Sequence, residues 1–311
     1  MKSSISRLSI QTILSIALTA VAISPLHAEH HCPGNIASVT PRFVQRALII
    51  IPVKINNTGP FDFMVDTGSQ LSVIDPSLAL ELHLKSQGTV GLIAVTNYTQ
   101  ASIADVDTLE TGSHIVQKPL VVVQDLGQIR AADPRIRGVL GENFFAHFDV
   151  FIDYSHKLLC LDESKNMGER LRGERIPLVA PQHPEDDPPF TGRLVVSVHL
   201  SDTGGRRILL QLDSGSDGPI LYPGNKETEP SFLSLARLRG DSIRKAQRAF
   251  APLPSQDMRI GSHIFSKVPF VTPANAELDI PGREEDGLLP TILFRSIYIS
   301  FANRYVMLDP R

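Results

Sequence analysis

"FMVDTGSQLSVID" (residues 63–75) sets Asp66 at the end of an apolar run, follows it with small residues, and then resumes the apolar pattern. A carboxylate at the end of a buried strand is costly unless its oxygens are well bonded. The residues after it can supply those bonds. Gly68 lets the backbone fold close with its N–H groups aimed inward, Ser69 can donate a hydroxyl hydrogen bond, and Thr67 can lock the loop to its surroundings. One carboxylate cannot serve as acid and base in the same step, so a catalytic Asp66 requires a partner elsewhere in the chain.

An internal repeat supplies that partner. "IPVKINNTGPFDFMVDTGSQLSVIDP" (51–76) corresponds to "VSVHLSDTGGRRILLQLDSGSDGPILYP" (196–223): strand, Gly-containing turn, second strand, Asp-Thr/Ser-Gly-Ser, further apolar segment. Asp213, Ser214, Gly215 and Ser216 thus repeat Asp66, Thr67, Gly68 and Ser69 at an offset of 147 (213 − 66). Downstream, "GVLGENFFAHFDVFIDYSHKLLCLD" (138–162) answers "GLLPTILFRSIYISFANRYVMLDP" (287–310), with Asp153 and Ser300, and Asp162 and Asp309, again 147 apart. Constant order and a near-constant offset point to a tandem duplication. The tripeptide alone is weak evidence. By chance it is expected on the order of a tenth of a time in such a chain, yet it also occurs at 202–204. There it matches Asn57-Thr58-Gly59, where a hairpin must turn, so Asp202 is a turn residue.

The 311 residues are 42% hydrophobic and 20% charged, the balance of a globular protein. The net charge of −3 and the absence of a basic stripe argue against nucleic acid as a partner. Short Val/Ile/Leu runs bounded by Gly, Pro, Asn and Asp predict a mainly β chain. Two helices are expected: one over 75–85, with Asp75 as cap and Pro76 at its first position, another within 232–250. Charged and Pro-rich segments over 163–190 form the seam. They predict an N-terminal lobe over 29–168 and a C-terminal lobe over 169–311, with a loop or edge passage between them.

Residues 1–28 have the form of a signal peptide: Lys2 and Arg7, an apolar stretch over 8–23, and a small residue at Ala28. The mature protein is therefore expected to be exported and not membrane-bound. The two cysteines, Cys32 and Cys160, are open to bridging in an oxidising compartment or to remaining as free thiols.

With "VDTGSQLSVI" and "LDSGSDGPIL" as two active-site loops, the sequence resembles the aspartic proteases, and most closely the bacterial retropepsin-like kind in a two-copy, pepsin-like arrangement. Val139-Leu140-Gly141 resembles the family element beneath which the catalytic loop packs. The resemblance implies two acid-protease-type β-barrel lobes related by a pseudo-twofold axis, with a substrate cleft between them. It implies Asp66 and Asp213 as catalytic residues, with Thr67, Gly68, Ser69, Ser214, Gly215 and Ser216 as loop support. The implied activity is peptide-bond hydrolysis of a peptide or protein substrate by a monomer, without metal or cofactor, in the periplasm or outside the cell. A flap is expected over 88–103, its tip near 94–98, where Tyr98 either contacts substrate or is an exposed hairpin tyrosine.

Two departures stand out. Pro290 replaces the glycine of the second apolar-apolar-Gly element, and Asp217 adds an acid beside the second loop, either raising the pair's proton affinity or pointing into solvent. They keep open a second reading: the same fold retained to bind peptides with little or no turnover. A two-carboxylate glycosidase fits less well, since Trp is absent and aromatics are only 6%. No HExxH, CxxC or Gly-x-Ser-x-Gly pattern supports metal or serine chemistry.

Overall fold

Alternating apolar runs become strands throughout the described residues. In the computed structural model, the described residues are 31–310 except 35, 46, 94, 96–97, 165, 181–192, 203–205, 224–249 and 275–282. The expected signal peptide and the helix expected within 232–250 therefore lie outside the described residues, apart from Phe250, which is in a strand. The first half begins with β1 (Arg42–Val44), β2 (Leu48–Ile55), β3 (Thr58–Val65) and β4 (Ser72–Ile74). Asn56 and Asn57 turn the β2–β3 hairpin with φ of 48° and 62°, a conformation that Asn tolerates better than most residues. Helix α1 (Pro76–Glu81) starts as expected, the Asp75 side chain accepting from the Ser77 N–H. It stops short of 85, because His83 takes a left-handed φ of 55°.

Then follow β5 (Ser86–Ile93), β6 (Tyr98–Asp105), β7 (Thr108–Thr111), β8 (His114–Gln117), β9 (Leu120–Val123), α2 (Gly127–Arg130), β10 (Ile136–Leu140) and α3 (Glu142–Phe145). The first sheet runs β5-β6-β9-β4-β10-β3-β2-β7-β8, with β1 on β2. Its decisive feature is a parallel pair: β10 lies beside β3, Leu140 opposite Val65.

Next come β11 (Asp149–Asp153), β12 (Leu158–Asp162), α4 (Met167–Arg170) and β13 (Ile176–Pro177), an edge strand where a proline costs no ladder bond. The second half holds β14 (Val195–Leu200), β15 (Arg207–Asp213), β16 (Ile220–Leu221), β17 (Phe250–Pro252), β18 (Gln256–Ile260), β19 (His263–Val268), β20 (Val271–Pro273) and β21 (Gly287–Pro290). Its order, β17-β20-β16-β21-β15-β14-β18-β19, repeats the connectivity of β6-β9-β4-β10-β3-β2-β7-β8. Here too the strand before the Asp-Ser-Gly loop has a parallel neighbour, β21 beside β15. Asp202 lies in the exposed β14–β15 turn, its N–H donating to Gln256 Oε1 at 3.1 Å.

After a 3-10 turn (Thr291–Leu293) the chain ends in β22 (Ser296–Ser300) and β23 (Tyr305–Leu308). The third sheet, β12-β11-β22-β23-β13, joins the halves. In its centre Phe151 lies opposite Tyr298, with Asp149 opposite Ser300 and Asp153 opposite Ser296. Phe151 and Tyr298 are themselves 147 apart (298 − 151). A twofold exchanging i with i + 147 must pass through such a pair, and this register is unchanged by that exchange. Below the sheets, one apolar core runs through both halves, from Ile49, Phe63 and Val65 to Leu210, Leu212 and Leu289. Burial of this surface is the main favourable contribution to folding. Among the described residues, no helix is long and apolar enough to cross a membrane.

Candidate functional site

The two parallel pairs set the site. Each Asp-Thr/Ser-Gly loop leaves its strand where the parallel neighbour also ends, so both loops emerge at the same edge of their lobes. The Asp66 N–H donates to Leu140 O at 3.0 Å, and Asp213 lies opposite Pro290 in the second ladder. The Asp66 and Asp213 carboxyls lie close enough to interact directly. Each is held from its own loop: the Gly68 N–H donates to Asp66 Oδ1 at 2.8 Å and the Gly215 N–H to Asp213 Oδ1 at 2.7 Å. The backbone N–H groups of Ser69 and Ser216 reinforce them.

Each glycine also makes room for the opposite carboxyl. A Cβ on Gly68 would stand 2.7 Å from Asp213 Cγ, and one on Gly215 the same 2.7 Å from Asp66 Cγ. No side chain fits at either position without parting the carboxyls, because real Cβ atoms do not approach so near.

Thr67 and Ser214 lock the loops to each other rather than to their own lobes. The Thr67 N–H donates to Ser214 Oγ, and the Ser214 N–H donates to Thr67 Oγ1, both at 3.1 Å. The hydroxyls pass their own protons onward, Thr67 to Leu212 O at 3.2 Å and Ser214 to Val65 O at 3.1 Å. All four bonds are buried, and each hydroxyl both donates and accepts. Gln211 adds a further tie across the halves, its Nε2 donating to Gly68 O at 3.0 Å.

The expected role of the next serines needs correcting. Ser69 Oγ donates to Leu71 O at 2.8 Å and Ser216 Oγ to Gly218 O at 2.9 Å. Both hydroxyls turn to carbonyls two residues on, a local bond that short polar side chains readily form. Their backbone N–H groups, not their hydroxyls, serve the carboxylates.

Burial raises the proton affinity of both aspartates. For Asp66 the interaction with Asp213 and the Gly68 and Ser69 N–H groups partly offset it. Asp213 is pushed further, first by burial and then by the Asp66 charge beside it. Two carboxyls in contact titrate as one unit that holds a proton above the ordinary aspartate range. The two departures leave this contact intact. Pro290 occupies the ladder position beside Asp213 and does not part the pair, and Asp217 is exposed.

The element at Gly141 packs beneath the first loop as expected. Its N–H donates to Ser72 Oγ at 3.1 Å, and a Cβ there would come within 2.7 Å of the Ser69 carbonyl oxygen. The next residue, Glu142, is not singled out by its sequence context. Its N–H donates to Ser69 O at 2.8 Å, and its side chain is buried behind the loop. Neither carboxyl oxygen has a well-formed hydrogen bond among the described residues. Burial pushes this carboxyl up to about 8; the Leu194 backbone, Arg193 and Arg304 draw it down, and Asp66 adds repulsion. The acid directly after the apolar-apolar-Gly element is the available signal, but its burial depends on the other half of the chain.

Strands β5 and β6 form the hairpin expected as a flap, with Ile93 opposite Tyr98. At its tip Val95 packs against Ile220, Tyr222 and Leu288 of the second half. The Tyr98 side chain lies outside the described residues. Cys32 and Cys160 are bridged, with Cα atoms 5.8 Å apart, inside a small core with Phe151, Met167 and Tyr298.

No curated protein sequence matches the chain. The model of one family, described as aspartyl protease, matches residues 51–144. That stretch contains the Asp66 loop, the β5–β6 hairpin and the Gly141 element, and ends before Asp213. Over that stretch, then, the chain is similar to aspartyl proteases.

Proposed function

We propose that this protein is an exported aspartic endopeptidase built from two copies of one lobe, with Asp66 and Asp213 as its catalytic pair. The observation that carries the reading is the close approach of the two carboxyls, each braced by its own glycine N–H and packed against the opposite loop's glycine. Like charges in contact cannot both ionise readily, so the pair keeps a proton between them. In that state one member is charged and the other protonated. The charged member takes a proton from a water held between them, and the water oxygen attacks the peptide carbonyl carbon. The protonated member hydrogen-bonds to the carbonyl oxygen as it becomes anionic. Collapse of the tetrahedral intermediate passes a proton to the leaving nitrogen and restores the shared proton. No covalent intermediate is required, and the β5–β6 hairpin is suited to shielding the reaction from water. The pseudo-twofold register supports the two-copy reading, and the leader-like residues 1–28 support export to the periplasm or beyond.

The test is cleavage of an unfolded protein substrate from acid to neutral pH by the wild type, Asp66→Asn and Asp213→Asn. Turnover by the wild type and its loss in both variants is expected. Full activity in either variant would overturn the pair.

A further inference from the structure

A pocket of about 250 Å³ opens beside Gly215, the residue packed against the Asp66 carboxyl. Leu48, Met64 and Ile129 give it apolar walls, and Gln45 and Gln128 bring two amides. Among the described residues, Asp217 is the one charged residue lining it. Met64 stands two residues before Asp66 on β3, on the same face of the strand. The 147-residue correspondence shows how unlike the two sides of the site are. Gln211 stands where the first copy has Met64, and Gln70 where the second has Asp217. Gln211 spends its amide on the Gly68 carbonyl, so that side is polar and neutral, whereas the Gly215 side is apolar with an acid at its rim.

We propose that this pocket takes a lysine or arginine side chain of the substrate adjacent to the scissile bond, with Asp217 as the specificity-determining residue. The proposal rests on the endopeptidase reading. A basic side chain has the matching properties: an aliphatic stem to lie along Met64, Leu48 and Ile129, and a cationic head to meet a carboxylate. The amide oxygens of Gln45 and Gln128 can accept the head's remaining N–H groups. Asp217 is exposed, so its attraction is screened and acts mainly as a choice between side chains.

The test reads binding rather than cleavage. Peptides with a reduced, uncleavable bond are made in two pairs, Lys or Met at the residue before the bond and Lys or Met at the residue after it. Calorimetry on the full chain then gives Kd for each at low and high salt. In one of the pairs the Lys peptide should bind roughly threefold to fivefold tighter, and that ratio should shrink at high salt. Asp217→Asn should bring the ratio near one, and Asp217→Lys should favour a Glu peptide over the Lys peptide. A ratio near one in both wild-type pairs, an unchanged ratio in Asp217→Asn, or no binding by any peptide overturns the proposal. Lys preference in a chain that cleaves nothing would instead sink the endopeptidase reading and leave the pocket assignment standing.

Discussion

Thr67 and Ser214 each combine a backbone N–H and a hydroxyl in one buried network, and that makes their chemistry hard to replace. Thr67→Val keeps the shape but removes both the acceptor for the Ser214 N–H and the donor to Leu212 O. Leaving buried polar groups unpaired costs roughly 1–3 kcal/mol each, so this variant should lose about 2–6 kcal/mol in urea unfolding. Thr67→Ser keeps the hydroxyl, as Ser214 does in the other half, and should stay within about 1 kcal/mol of wild type. Asp66 and Asp213 stood out among the carboxylates of the sequence because strand, Asp, small residues and a repeated pattern all agreed. The serine hydroxyls misled, because a serine near a carboxylate has a backbone N–H and a hydroxyl to offer, and only the local turn decides which one faces it.

Glu142 makes a second residue-scale case. Its carboxyl is raised to about 8 in the fold, against an ordinary value of 4.5. A group that holds its proton more tightly when folded costs the folded state progressively as pH rises from the ordinary value to the raised one. Glu142→Gln, which is neutral throughout, should therefore gain on wild type between about pH 4.5 and pH 8 and not below it. At neutral pH the gain should be on the order of 3 kcal/mol. Thermal unfolding of both proteins at about pH 4 and about pH 8 checks it; an equal difference at the two values would contradict the cost assigned to this carboxyl.

At the scale of elements, the strands flanking each Asp-Thr/Ser-Gly loop and the start of α1 followed from apolar runs, turn residues and a capping Asp. The cross-half contacts of those elements did not. Which strand lies parallel to β3 depends on chain crossover, and a local pattern carries no record of it. The bridge between Cys32 and Cys160 belongs here, because it ties the start of the described chain to β12. It closes 128 residues, and removing such a link typically costs roughly 2–5 kcal/mol. Replacing both cysteines with serine should lower the urea midpoint accordingly. An unchanged midpoint would mean that the terminus contributes little to the fold.

For the whole molecule, the 147-residue offset was legible before any geometry, and the register of Phe151 opposite Tyr298 gives it a physical location. What the offset could not convey is asymmetry: the two sides of the site share a backbone plan but differ at Met64 and Gln211, and at Gln70 and Asp217. The shared plan brings two buried carboxyls into contact, and a shared proton follows from that contact. Catalysis by such a pair needs one proton on the two groups, no more and no fewer. The pH dependence of kcat/KM for a single peptide is therefore the most direct measurement. A bell-shaped profile is expected, rising as the first proton leaves the pair and falling as the second leaves above the ordinary aspartate range. A profile with one limb only, or one that survives Asp213→Asn, would contradict a catalytic pair that shares a proton.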